Sequence, residues 1–593
     1  MLTMLAALLI AALSATGCVS MPTGGPVQSY PVTQGADAQN QPYVQVVPQP
    51  PGTNWSPTQI VQGFLTASAS YGNDPQVVDQ YLTPKLQKTW DPFWSAFVYS
   101  SGPNVTEPTY QPSTTKNPTQ ATVQITGRLQ ATLEGHGTYS VASSSSQQSL
   151  GAQPSFSLSK VDGQWRISSA PNELLLTSDS FRYDYQLANL YFFDPAEKSL
   201  VPDPVYVPLQ AGPANNVMNG LVSDLITPPV DWLSIGGATK TAFPKGTKIS
   251  DVTLNGVTAV VNLTGTAITK ANSVVMEQIS AQLLNTLSGA AQTGLTGQGV
   301  QSVEVDRNGK PWTPPSAEDS PVQQTAQWKP ASGASPEFYY VDSAGYLTGQ
   351  TDTVGKPVNL AKIGTVYSQI AVSPDGRYLA ALRGSTLYTG TVGGALTKRS
   401  GSYLAMSWDA SDDLWASQGD EIVEFRTGPD ERQPLGQMVV VNVLNAYGSV
   451  IGIPNGQYTA LKVAPDGVRV AMVMGGNELT FGAISGQQGA SPQIALSLVQ
   501  QSPVNATKFT GLTWYGFDDV ITLATPGPAV TEYPVSGGAP TSIPDYPGMQ
   551  SITASADHSL IASVQGGGMV ADPGPTGSWM TLDGSGNSPV YSG

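Results

Sequence analysis

The spacing of apolar positions changes along this chain, and each change marks a different kind of folded unit. Ser56-Pro57 forms a helix start, after which apolar residues recur at helical spacing, at Ile60, Val61, Phe64 and Leu65. From residue 122 to 133 the period is two, and residues 155–167 hold two alternating stretches around Asp162-Gly163, a strong hairpin signal. Helices followed by a sheet predict an α+β domain over residues 54–180.

A second unit repeats this mixture over residues 181–312. Strand-like runs at 190–193 and 205–207 precede a helical pattern that Pro228-Pro229 ends. After a further strand at 258–263, an i, i+4 stripe predicts a helix whose apolar positions are Val275, Ile279, Leu283 and Leu287. We therefore expect a second α+β domain.

The chain becomes all-β after residues 313–335, which are rich in Pro, Ser, Gln and Ala and predict a linker. Over residues 336–593 a strand–turn–strand unit recurs with an acidic turn, at Asp375, Asp412, Asp466, Asp518 and Asp557. The intervals of 37 to 54 residues match four-stranded propeller blades. The sequence predicts a C-terminal β-propeller, in which the strands at 338–347 add a sixth blade or complete the last one.

Residues 1–17 are typical of an export signal. Residues 1–16 carry no charge, and the run ends in Ala15-Thr16-Gly17-Cys18. Small residues before a cysteine suit a lipoprotein signal peptidase, and the run is too short to span a bilayer. We expect S-diacylglycerol and N-acyl chains (palmitate among them) on Cys18, anchoring the chain at the extracytoplasmic face of the cell membrane. The alternative is an ordinary secretory signal; because no Lys or Arg precedes the run, an upstream start codon also stays open.

Composition narrows the possible partners. Residues 18–53 are rich in Pro, Gly, Gln, Ser and Thr and predict a flexible tether. A net charge of −16 disfavours nucleic acid and a polybasic grip on anionic lipid. Membrane contact is therefore expected through the acylated cysteine, and this lone cysteine excludes an intramolecular disulfide.

Catalytic and metal-binding signals are sparse. The two histidines, His136 and His558, are predicted turn residues, and no His, Cys and carboxylate cluster has zinc-site spacing. The pairs Asp412-Asp413 and Asp518-Asp519 recur at blade turns, which favours hydrogen bonds to their own turns over acid–base chemistry or Ca²⁺. We predict no catalytic, cofactor-binding or metal-binding residue, and Cys18 is the single site residue.

Several parts of the chain resemble known domains. The hairpin ending in Trp165-Arg166-Ile167 resembles that of NTF2-like domains, and the element order of residues 181–312 resembles the GerMN domain. Together with the 60–65 helix, Tyr81-Leu82-Thr83-Pro84 and the blade turn Ser373-Pro374-Asp375-Gly376, the whole arrangement resembles the LpqB family of actinobacterial lipoproteins.

That resemblance implies a regulatory accessory protein rather than an enzyme. The family is associated with the MtrA–MtrB two-component system, so the implied partner is the extracellular domain of the sensor histidine kinase MtrB, in envelope and cell-division homeostasis. The resemblance assigns no catalytic and no partner-binding residues to positions of this chain. Two alternatives stay open: a module that binds cell-wall glycan or peptide, and a propeller hydrolase with acids or histidines in its central channel.

Overall fold

The computed structural model describes most of the chain after the predicted signal and tether. The described residues are 49–69, 75–90, 95–111, 117–134, 137–142, 154–208, 214–293, 295, 299–312, 328–331, 337–351, 353, 355–365, 367–428, 435–451, 457–486, 491–527, 529–555, 558–572 and 578–593. No helix within these ranges is long and apolar enough to cross a membrane.

The N-terminal domain packs helices on a seven-stranded sheet. Its strand order is β6-β5-β3-β1-β7, with β2 and β4 also paired to β3. In chain order the elements are α1 (Pro57–Ala69), α2 (Pro75–Asp79), β1 (Ala96–Val105), β2 (Thr109–Gln111), β3 (Gln120–Glu134), β4 (Thr138–Val141), β5 (Ser155–Val161), β6 (Gln164–Ser169), β7 (Leu174–Thr177) and α3 (Ser178–Asp184).

Helix α1 begins where the sequence predicts. The Gln59 N–H donates to Ser56 Oγ at 3.3 Å, and the Ser56 N–H donates to Gln59 Oε1 at 2.9 Å. This reciprocal capping satisfies amides that the first turn leaves free. Phe64, on the buried face of α1, meets the Phe156 ring edge-on with centroids 5.6 Å apart, so the helix is fixed against the sheet.

The predicted hairpin is also present. Strands β5 and β6 pair with Val161 opposite Gln164, and the two residues between them, Asp162 and Gly163, have φ of 50° and 78°. Positive φ at both central residues defines a type I′ turn, whose twist matches that of paired strands. The Asp-Gly signal therefore located both the turn and its register.

The second domain contains a strand pair and a four-stranded sheet. The four-stranded sheet has the order β10-β11-β12-β13, and parallel β11 and β12 are connected through helix α7. The elements are β8 (Tyr185–Phe193), β9 (Leu200–Pro208), α4 (Ala214–Ile226), α5 (Asp231–Ser234), β10 (Lys248–Asn255), β11 (Thr258–Thr264), α6 (Thr266–Thr269), α7 (Ser273–Gln292), β12 (Ser302–Arg307) and β13 (Lys310–Pro311).

Helix α7 links the two sheets of this domain. Asn272 caps it by accepting the Val275 N–H at 3.0 Å. The fully buried Gln282 donates to the Tyr191 carbonyl at 2.7 Å and accepts the Ala242 N–H at 2.6 Å. Because a buried amide is costly without partners, these two bonds fix how α7 lies on β8.

Part of the segment predicted as a linker packs on the second domain. The Leu200 N–H donates to the Lys329 carbonyl at 3.1 Å, and Trp328 Nε1 donates to the Glu197 carbonyl at 3.0 Å. The Trp328 ring also meets Phe193 edge-on. Composition could not show this docking, because it depends on individual residues such as Trp328.

The propeller contains twenty-four strands in the described residues. They are β14 (Glu337–Asp342), β15 (Tyr346–Thr351), β16 (Val358–Lys362), β17 (Gln369–Val372), β18 (Tyr378–Arg383), β19 (Thr386–Thr391), β20 (Thr397–Lys398), β21 (Tyr403–Trp408), β22 (Leu414–Gln418), β23 (Glu421–Thr427), β24 (Leu435–Val440), β25 (Asn442–Leu444), β26 (Tyr458–Val463), β27 (Arg469–Met474), β28 (Glu478–Ser485), β29 (Gln493–Gln501), β30 (Lys508–Tyr515), β31 (Asp519–Thr525), β32 (Ala529–Pro534), β33 (Thr541–Ile543), β34 (Met549–Ser555), β35 (His558–Val564), β36 (Gly568–Asp572) and β37 (Met580–Tyr591).

These strands form six blades within the described part of the chain. Blades II, III and V are β17–β20, β21–β24 and β30–β33, and blade IV is β26–β29 with β25 added in parallel to β29. Blades VI and I share one sheet. The inner strands β37, β17, β21, β26, β30 and β34 contact one another in turn and close a ring.

Strand β37 closes the propeller by serving two blades. Its first half pairs with β36 of blade VI, with Thr581 opposite Val570. Its second half pairs with β14 of blade I, with Tyr591 opposite Phe338. The predicted strands at 338–347 therefore form a blade of their own, blade I, which brings the number of blades to six and which the last strand of the chain completes.

Candidate functional site

The predicted lipidation site, Cys18, lies outside the described residues, as do His136 and Asp557. His558 is the first residue of β35, where it pairs with Ser555. Acylation of Cys18 therefore stays a prediction, and the candidate sites that the structure describes lie in the folded domains.

The acidic turns of blades II and IV bond their own backbone, as expected. Asp375 Oδ1 accepts the Arg377 N–H at 2.9 Å. Asp466 Oδ1 accepts the N–H groups of Val468 and Arg469, both at 2.8 Å. These carboxylates replace backbone partners that a tight turn cannot supply, which is a structural role.

In blade III the prediction selected the wrong aspartate. Asp412 has φ of 60° and stands at the turn position that Gly376 and Gly467 fill in blades II and IV. The carboxylate that caps this turn is Asp409, whose Oδ1 accepts the N–H groups of Ser411 and Asp413 at 2.8 and 3.0 Å. The sequence repeat was matched on the identity of Asp412, whereas the aspartate that caps the turn by hydrogen bonds, Asp409, lies three residues earlier.

Three acidic side chains converge beside that turn. Asp409, Asp413 and Glu424 bring carboxylate oxygens within 4.8 Å of one another, the one such group among the described residues. Their oxygens already accept hydrogen bonds: Asp409 Oδ2 from Trp415 Nε1 at 2.9 Å, and Glu424 Oε2 from Arg426 Nε at 2.8 Å. Burial raises the pKa of Asp409 to about 7. Carboxylate oxygens are cation ligands. Here, however, the N–H groups of Trp415 and Arg426 already donate to the cluster, and burial favours the protonated form of Asp409.

A buried charge network joins the second domain to the propeller. Arg469 of blade IV bonds Asp466 Oδ2 through Nε at 2.7 Å and Asp518 Oδ1 of blade V through Nη1 at 3.1 Å. Its Nη2 donates to the Phe517 carbonyl. Asn189 of β8 donates its amide to the other Asp518 oxygen. The carboxylate of Asp518 therefore bonds a neighbouring blade and the second domain, whereas the sequence predicted a bond within its own turn.

An apolar contact surrounds this network. Trp232 and Leu233 of helix α5 are buried in one cluster with Val468 of blade IV and with Trp514 and Val520 of blade V. Arg469 also lies over the Trp514 ring, with its guanidinium carbon 5.2 Å from the ring centroid. Because apolar and charged groups are buried together here, the second domain and blades IV and V form one packed junction.

The inner strands show what the propeller axis offers chemically. Their register places one residue of each blade at an equivalent position, which we call the inner-ring position: Val590, Ala371, Ser407, Lys462, Thr513 and Thr553 in blades I to VI. None of these six residues is a carboxylate or a histidine. A propeller hydrolase would need such groups at its axis, so this position does not support that alternative.

Within the described residues, the two most exposed large apolar side chains, Tyr447 and Val450, lie where blade III passes to blade IV. Met438, Val440, Tyr447 and Val450 fall within residues 438–450, which we call the crossover segment, and Tyr447 and Val450 are 75% and 69% exposed. Asn445 shapes the loop, because its Oδ1 accepts the N–H groups of Tyr447 and Ser449 at 3.0 and 2.9 Å. The loop therefore presents an aromatic ring on a hydrogen-bonded turn.

Comparison with known proteins assigns all three domains. Residues 50–182 match the lipoprotein LpqB N-terminal domain, residues 189–313 the Germane domain described for sporulation and spore germination, and residues 345–592 the lipoprotein LpqB beta-propeller domain. The chain belongs to the LpqB lipoprotein family. The multidomain prediction, two α+β units followed by a propeller, is confirmed.

Named LpqB relatives match over most of their length. Lipoprotein LpqB of Streptomyces avermitilis is 27% identical over 98% of this chain and 96% of its own. Those of Thermobifida fusca and Mycobacterium bovis are 26% and 25% identical over 86% of this chain, and over 85% and 84% of theirs. None of these family or protein names denotes an enzyme.

Proposed function

We propose that this LpqB protein is tethered to the extracytoplasmic face of the cell membrane through Cys18 and binds the extracellular domain of a sensor histidine kinase. The family name supports a lipoprotein. About thirty residues separate Cys18 from the first described residue, and a flexible chain of that length has a root-mean-square span of roughly 30 Å. The folded domains would thus stay near the membrane surface, where such a kinase displays its sensor.

The crossover segment is the observation that carries the binding proposal. A few residues carry most of the binding energy of a protein interface, and tyrosine is enriched among them. Tyr447 is 75% exposed on a loop that is held by Asn445. A loop ordered before binding loses less conformational entropy when a partner covers it. Val450 and Val440, also exposed, supply apolar surface around it. Tethering raises the effective concentration of the partner, so that a micromolar affinity is enough for the two proteins to associate at the membrane.

Binding is tested with the full mature chain, made soluble by Cys18→Ala, and the purified outer domain of the kinase. Tyr447→Ser should weaken the affinity about 30-fold, the loss expected for a hot-spot residue. The matched control is Tyr183→Ser, since Tyr183 is a second exposed tyrosine, on helix α3; it should change affinity less than about threefold. Undetectable binding of the unsubstituted protein at high micromolar concentration refutes the kinase proposal, and equal binding of both variants refutes the surface.

Anchoring is tested separately in cells. Cys18→Ala should release the protein from the membrane fraction or block its processing, and kinase output should change on deletion of the gene. If the Cys18→Ala protein still needs detergent to leave the membrane, the anchor is elsewhere. If neither deletion nor the soluble form alters kinase output, the regulatory proposal is wrong even where anchoring is right.

A further inference from the structure

Three blades use a hydroxyl at the inner-ring position to hold the next blade. Ser407 Oγ accepts the Val463 N–H of blade IV at 3.0 Å. Thr513 Oγ1 accepts the Ala554 N–H of blade VI at 3.0 Å. Thr553 Oγ1 in turn accepts the Tyr591 N–H at 3.3 Å. In each case an oxygen meets a backbone donor that the strand directs out of its own sheet toward the preceding blade.

Blade IV carries a lysine at this position, whereas blades I and II carry the apolar Val590 and Ala371. Lys462 pairs with Ala471, as Ser407 pairs with Trp415, so it occupies the equivalent register. Ala471 belongs to the core shared with blade V, which places the Lys462 side chain on the blade V side of its strand. Its backbone is fixed there, because Trp514 Nε1 donates to the Lys462 carbonyl at 2.9 Å.

The exchange of a hydroxyl for a lysine leaves donors facing donors. The backbone N–H of Trp514, as distinct from its indole N–H, occupies the place in blade V that the backbone N–H groups of Val463 and Ala554 occupy in their blades. Opposite it stands Lys462, whose ammonium has three donors and no acceptor. Two sets of donors thus face each other at this seam. At three of the other five seams a hydroxyl oxygen accepts the backbone N–H, and at the remaining two the inner-ring residue is apolar.

No carboxylate compensates this lysine within the described chain. None of the ion pairs among the described residues includes Lys462. The ammonium is densely surrounded by protein, and this burial lowers the pKa of Lys462 to about 8, yet the residue keeps part of its surface open to solvent. Lys462 is therefore a lysine enclosed by protein but still reached by solvent, at the inner end of the seam between blades IV and V.

We propose that the Lys462 ammonium and the backbone N–H of Trp514 form a binding site for a small oxyanion at the propeller axis. The oxyanion is the carboxylate or phosphate group of a low-molecular-weight ligand. An oxyanion supplies an acceptor to two donors for which the described residues show none. It also neutralises the ammonium, which is costly to leave unpaired where it is buried. The site shares no residue with the crossover segment, so the experiments that test it are separate from those that test the kinase proposal.

The test uses the full mature chain with Cys18→Ala and two probes, inorganic phosphate and succinate, at constant ionic strength set with chloride. At least one probe should raise the melting temperature in a saturable way, since a ligand that binds the folded state stabilises it. Lys462→Met should weaken this binding more than about tenfold. Lys508→Met, which removes the exposed lysine at the start of β30, should leave it unchanged.

A second measurement does not depend on how the variant folds. In the unsubstituted protein, the rate at which trinitrobenzenesulfonate labels Lys462 near pH 8 is followed by mass spectrometry. The bound probe should slow labelling of Lys462 and not of Lys508. Absence of saturable stabilisation by both probes up to tens of millimolar, retention of binding in Lys462→Met, or labelling of Lys462 that neither probe slows would each overturn the proposal.

Discussion

Arg469 Nη1 donates to Asp518 Oδ1 across 3.1 Å, and this ion pair joins blade IV to blade V where the second domain docks. Arg469 also bonds Asp466, and Asp518 accepts from Asn189 of β8. Both charges are almost completely buried, so each depends on the other to offset its loss of hydration. Interblade and interdomain contacts therefore share one charged group.

The first prediction concerns Arg469→Met. The substitution keeps the apolar stem but leaves Asp466 and Asp518 buried without their cation, which should cost about 3–5 kcal/mol of unfolding free energy. Urea denaturation followed by tryptophan fluorescence measures it. Arg182→Ala is the control, because the Arg182–Asp179 pair is exposed and worth at most about 1 kcal/mol. Equal losses in the two variants would contradict a special role for Arg469.

The second prediction concerns closure of the ring by β37. Tyr591 is buried, stacks edge-on with Phe338 at 6.0 Å and donates its hydroxyl to the Ser559 carbonyl at 3.1 Å. Tyr591→Ala should cost about 3–5 kcal/mol, as for other large aromatic truncations in cores. Met580→Ala, at the half-exposed start of the same strand, should cost less than about 1 kcal/mol. Thermal unfolding monitored by circular dichroism compares the two, and a Tyr591→Ala protein as stable as Met580→Ala would mean that the strand does not close the ring.

Local signals located the elements better than they located their long-range partners. The Asp162-Gly163 turn and the Ser56 cap depend on neighbouring residues, and the sequence showed both. The pair Arg469–Asp518 spans 49 residues, so no local pattern could have indicated it. The family resemblance supplied the order of domains but no contacts between them.

The acidic turn of blade III shows how a repeat can mislead. Asp412 matched the blade repeat by its letter, whereas Asp409 makes the capping bonds. Trp415 Nε1 bonds the same carboxylate, and a tryptophan six residues after an aspartate is not a recognised turn signal. The inner-ring lysine was likewise missed, because its position has meaning only once the six strands are in register.

The third prediction follows from the raised pKa of Asp409. Burial raises this pKa to about 7, against roughly 3.9 in an unfolded chain. The folded state therefore holds the proton more tightly, and the stability gained below about pH 4 is lost as pH rises through 7. Burial also raises the pKa of the neighbouring Asp413 and Glu424, which acts in the same direction.

Asp409→Asn removes the titration and keeps an oxygen acceptor for the turn. The unfolding free energy of the unsubstituted protein should fall relative to that of Asp409→Asn between pH 5 and pH 7.5. Denaturant titrations of the two proteins at the two pH values give this difference. Parallel pH profiles for the two proteins would show that Asp409 is ionised throughout this range.

The last prediction concerns separation of the propeller from the rest of the chain. Residues 313–327 are polar and rich in Pro, Ser and Gln, so limited proteolysis should cut there first and leave a stable C-terminal fragment of about 260 residues. The two fragments should stay together on gel filtration, because Trp232 and Leu233 are buried against blades IV and V. Trp232→Ala should let the nicked fragments separate, whereas Val274→Ala, at an exposed position of α7, should not. Rapid digestion through the blades would contradict a stable propeller, and fragments of the unsubstituted protein that separate at once would contradict the packed junction.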